Sequence, residues 1–94
     1  MSLLASYTTL LELSRQMLEQ ARQQEWESLA ATEARRAALL AKLPARMPAL
    51  SPADSTAIAT AIRQIQVCDR EILEYVTPWR EQAATLLSRL APAR

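Results

Sequence analysis

Residues 58–90 read IATAIRQIQVCDREILEYVTPWREQAATLLSRL, and this stretch decides the fold. Ile58, Ile62, Ile65, Asp69, Ile72, Val76, Trp79, Ala83, Leu86 and Leu90 follow one another at steps of four and three without a slip. That spacing keeps every one of them on one face of a single long α-helix. Asp69 is the one charge in the row. Further apolar residues widen the stripe: Leu73 and Leu87 on one flank, Cys68 and Tyr75 on the other. A face that wide suits contact with two neighbours rather than one.

Working upstream, Ser51-Pro52-Ala53-Asp54 is a strong helix start. Ser51 can accept from freed backbone N–H groups as N-cap, Pro52 suits the first turn, and Asp54 complements the helix dipole. The last helix is therefore expected over about 52–90, roughly 58 Å at 1.5 Å per residue. Pro78 lies inside it and removes the hydrogen bond to the Glu74 carbonyl, yet the stripe keeps phase across it, which predicts a kink rather than a stop. Pro44, Pro48 and Pro52 punctuate a connection over 44–52.

The first 43 residues read as helical throughout. Leu3, Leu4, Tyr7, Leu10, Leu11, Met17, Leu18 and Ala21 make one apolar face, and Trp26, Leu29, Ala30, Ala37, Leu40 and Leu43 make a second. At 100° per residue the second face is rotated by roughly a quarter turn from the first. That phase slip favours a break near Arg22–Glu25 and two helices, about 2–22 and 25–43, although Gln23-Gln24-Glu25 offers no Gly, Pro or good cap; a continuous helix is the alternative.

Composition agrees. Ninety-four residues with no Gly, no Phe and no His, rich in Ala, Leu, Glu, Gln and Arg, make one all-α domain over 1–94. The expected architecture is an antiparallel bundle of three helices with a long third helix, with dimerisation as an open option. Without His the commonest general base and metal ligand is absent, and without Gly so is any phosphate-cradling loop. No enzyme, cofactor or metal site is expected. Cys68, the one thiol, cannot form an internal disulfide, which suits a reducing compartment. Eleven basic and ten acidic residues are interleaved. Arg63, Arg70 and Arg80 are interrupted by Glu71, Glu74 and Glu81, so nucleic acid is not an expected partner. No apolar run is long enough for a membrane span or a signal peptide, and a cytoplasmic location is expected.

Three charges fall within apolar stripes: Glu33, Arg36 and Asp69. Glu33 and Arg36 are three apart on one helix, and the five donors of Arg36 could bridge Glu33 and Asp69 together. The expectation is a polar lock that fixes helix pairing. Helices one and two span roughly 30 Å each and can cover only about half of helix three. The uncovered half is expected to be an interaction surface. Leu73, Tyr75, Val76, Trp79, Leu86 and Leu87, with Cys68 at the margin, are the expected partner-binding residues, Trp and Tyr being the usual anchors. Trp26 is expected in the core.

The stretch Leu18-Glu19-Gln20-Ala21-Arg22, followed by Glu25-Trp26-Glu27, Leu29, Glu33, Arg36 and Leu40, resembles the N-terminal half of flagellar export chaperones of the FliT type. The long third helix with an inward Asp69 is similar too, and the resemblance covers roughly residues 7–90. It implies a cytoplasmic chaperone of the flagellar type III export system. Such a protein binds the C-terminal part of the filament cap protein and hands it to the export ATPase complex. Enteric members also restrain the master activator of flagellar genes. Better-known members carry a fourth helix that folds over the partner groove. This sequence reaches Arg94 directly after Ala91-Pro92-Ala93, so neither that helix nor the control it exerts enters the expectation. A structural or regulatory helical homodimer without an export role is the rival reading.

Overall fold

The structure is a computed structural model that describes residues 2–90. The fold is all-α: α1 (Leu3–Arg22), α2 (Trp26–Ala41) and α3 (Pro52–Leu90), with no strand among the described residues. What was expected of the chain beyond Leu90 lies outside the described residues.

Local chemistry sets each boundary. Ser2 caps α1, its Oγ accepting from the Ala5 N–H at 3.1 Å, and Ser51 does the same for α3, accepting from the Asp54 N–H at 3.1 Å. The α1–α2 break falls at 23–25. Gln24 takes a left-handed φ of 58°. Around it the Gln24 N–H donates to the Ala21 carbonyl at 3.1 Å, and the Glu25 N–H to that of Gln20 at 2.9 Å. This pair of bonds is the Schellman ending of a helix, built here without the glycine that normally supplies the left-handed position. Helix α2 stops at Ala41, two residues short of the sequence expectation. Helix α3 continues through Pro78 to Leu90, 39 residues in all.

Arg15 meets Gln64 and, seven residues on, Arg22 meets Glu71, again seven on, so α1 and α3 run in the same sense. Arg36 meets Asp69 and Trp26 meets Trp79, so α2 runs against α3. Helix α1 is the hub. It packs against both other helices, while no Cα of α2 comes within 8 Å of one in α3. Its buried residues include Leu10, Leu11, Leu13, Met17, Leu18 and Ala21, with Ser6 and Ser14 enclosed among them. Full burial of a leucine contributes about 1.5–3 kcal/mol, so this helix carries most of the hydrophobic stabilisation. From α3 the buried set is Ile58, Ala61, Cys68 and Ile72. Ile58 and Ile72 belong to the expected row, whereas Ala61 and Cys68 lie one residue before its members Ile62 and Asp69.

Candidate partner-binding groove

Because α2 and α3 flank α1 without touching through their backbones, an open groove runs between them over α1. Side chains span it at two places. Near the middle, Arg36 Nη1 donates to Asp69 Oδ1 at 2.6 Å and to Ser14 Oγ at 3.0 Å. The Ser14 hydroxyl, fully buried, in turn donates to the Leu10 carbonyl at 2.9 Å. At one end the rings of Trp26 and Trp79 stack with centroids 5.3 Å apart and planes at 35°.

The Arg36–Asp69 pair divides the groove into two bays that share it as a wall. The larger, about 370 Å³, lies toward the tryptophans and is floored by Met17, Leu29, Ile72 and Val76, with Leu73 and Trp79 on its rim. The smaller, about 300 Å³, is lined by Tyr7, Leu10, Leu40, Ile62 and Ile65. Leu73 and Leu40 are half exposed, at 53% and 50%, and Trp79 at 43%.

Of the residues expected to bind a partner, the structure brings Leu73, Val76 and Trp79 to the groove. Cys68 does not reach it. The thiol is 8% exposed in the core cluster with Met17, Leu18, Ala21, Leu29 and Ile72, and burial pushes its pKa up. Tyr75 is exposed but lies on the α1 side, where it hydrogen-bonds Arg22 and is the chief reason that the guanidinium is held above its ordinary range. Leu86 and Leu87, 58% and 67% exposed, lie on the distal part of α3 and line neither bay.

The polar cluster also differs from expectation in one member. Arg36 and Asp69 meet, whereas Glu33 lies exposed on the rim of the larger bay and makes no ion pair with Arg36. Ser14 takes the place foreseen for Glu33. A serine in an apolar helix face gives little sequence signal, because its hydroxyl can be satisfied by its own helix; only the pairing of α1 with α2 shows its second partner. Trp26, expected in the core, is half-buried against the core cluster and stacks on Trp79 at the groove's end. The α1 and α2 floor residues Met17 and Leu29 were legible as apolar but not as groove-lining.

Among the described residues the three helices thus leave an open, largely apolar groove between α2 and α3. The chain belongs to the FliT family: the family model described as flagellar protein FliT matches residues 4–94. This is a family of flagellar export chaperones, not of enzymes. No curated protein and no solved structure gives a match. No helix among the described residues is long and apolar enough to cross a membrane.

Proposed function

We propose that this protein escorts the flagellar filament cap protein to export. It holds that protein's C-terminal segment as an amphipathic helix in the α2–α3 groove and passes it to the export ATPase complex in the cytoplasm. The groove itself carries this reading: two apolar bays side by side with no helix of the described chain laid in them. An amphipathic helix seated there would bury its own apolar face together with Leu73, Val76 and Trp79, hiding aggregation-prone surface until release.

Titration calorimetry with the cap protein's C-terminal segment tests the proposal. Trp79→Ala is expected to weaken binding by about 2 kcal/mol or more, roughly 30-fold in Kd. Trp79 also stacks on Trp26, so Leu73→Ser, whose side chain lies on the rim, serves as the companion variant and is expected to weaken binding by about 1 kcal/mol. Unchanged affinity in both variants, with normal helicity, rules the groove out.

A second reading rests on a separate observation. Leu86, Leu87 and Leu90 are 58–71% exposed at the far end of α3. An apolar cluster of that kind suits a helical homodimer that joins two copies through their distal ends.

A further inference from the structure

The Arg36–Asp69 bridge crosses the groove between its two bays, so a helix laid along the groove must pass over it. The two partners are not equally placed to meet a ligand. Arg36 is 18% exposed in its side chain and already donates to both Asp69 and Ser14. Asp69 is 43% exposed in its side chain, and Arg36 engages it through Oδ1. A carboxylate has about four acceptor positions on its two oxygens. Covering this half-exposed carboxylate with an apolar side chain would strip water from a charge and return nothing, whereas a donor side chain would replace the lost water. On either side of the bridge the groove is apolar. Ile65 and Val76, one in each bay, are roughly 16 Å apart along α3 at 1.5 Å per residue, about three helical turns.

We infer that the bridge sets the register and the sequence of the docked segment: an amphipathic helix of about 18 residues with two apolar clusters about three turns apart and, between them, a hydrogen-bond donor facing Asp69. The inference rests on the docking reading above and adds which helices the groove accepts. Its physical basis is a difference of affinities, since an unbroken apolar ridge would fit the bays and be rejected at the bridge.

The test is a phage-displayed library of 18-residue amphipathic helices in which the residue between two fixed apolar clusters is randomised. It is selected against the full chain and against the Arg36→Met/Asp69→Leu chain, which replaces the bridge by apolar side chains of similar length. The native groove is expected to enrich Lys, Arg, Gln and Asn over Leu and Ile at that position by about tenfold, the discrimination of one charge-assisted hydrogen bond. The double variant is expected to reverse the preference. Should that variant lose helicity, Asp69→Asn replaces it: the native carboxylate is expected to enrich Lys and Arg above Gln, and the neutral amide to abolish that excess. An apolar preference on the native chain, or the same preference on native and variant chains, overturns the inference while leaving the groove a docking site. If the native chain retains no library helix, or retains helices that Trp79→Ala binds equally well, the docking reading itself falls and takes the inference with it.

Discussion

At the scale of single residues, Gln24 shows where chain direction is set against local preference. A left-handed φ costs an L-residue with a Cβ roughly 1–2 kcal/mol, and the two Schellman hydrogen bonds and the docking of α2 on α1 hold it there. Replacing Gln24 by Gly removes that cost at the expense of a looser unfolded chain. Gln24→Gly is therefore expected to raise stability by about 0.5–1 kcal/mol in urea denaturation, and a loss of stability would contradict the assigned turn. The turn was legible only indirectly. The rotated apolar faces of residues 3–21 and 26–43 called for a break at 22–25, but the residues there carry no signal of how it is made, because a Gln in the left-handed region looks like any helical Gln. Ser14 and Glu33 show a related limit. Three charges in apolar faces suggested a polar contact among Glu33, Arg36 and Asp69, and of these Arg36 and Asp69 meet. Which further residue joins them depends on how far each helix is rotated, which a pattern of residue types does not specify.

At the scale of helices, α3 presents two adjoining faces with different tasks. Ile58, Ala61, Cys68 and Ile72 bury against α1, while Ile62, Ile65, Leu73 and Val76 line the groove beside α2. The width of the apolar stripe in the sequence suggested two neighbours, but both flanks are apolar, so nothing distinguished the covered flank from the open one. Cys68 and Tyr75 fell on the α1 side for that reason. The hub role of α1 was equally hidden: Leu13 is buried although it lies outside the single face read from the sequence, because a central helix is covered on two sides. Pro78 acts at this scale too. It removes one backbone hydrogen bond in a segment that, among the described residues, no other helix supports beyond Trp79. In a helix interior Pro is about 3 kcal/mol less favourable than Ala. Pro78→Ala is expected to slow amide exchange over residues 79–82 by about tenfold or more while leaving the protection of 58–72 unchanged. Equal exchange in both chains would show that the proline does not limit the distal helix.

At the scale of the whole molecule, the proportions follow from the mismatch in helix length. The molecule extends 61 × 23 × 18 Å, and its Cα radius of gyration is 17.2 Å. A compact globule of this length would have roughly 12 Å. Small-angle scattering at low concentration is expected to give a radius near the elongated value. A mass that doubles with concentration, and that Leu87→Glu returns to the monomer, would establish the homodimer through the distal leucines; a constant mass removes that reading. The stacked indoles at the end of the groove have one more consequence. They are the chain's two tryptophans, so the protein carries its own optical gauge: coupled indole transitions give an exciton signal in circular dichroism that vanishes when the rings part. Under the docking reading proposed above, a segment that parts the rings as it enters the larger bay is expected to abolish that signal, so its arrival and release can be followed in the unlabelled protein.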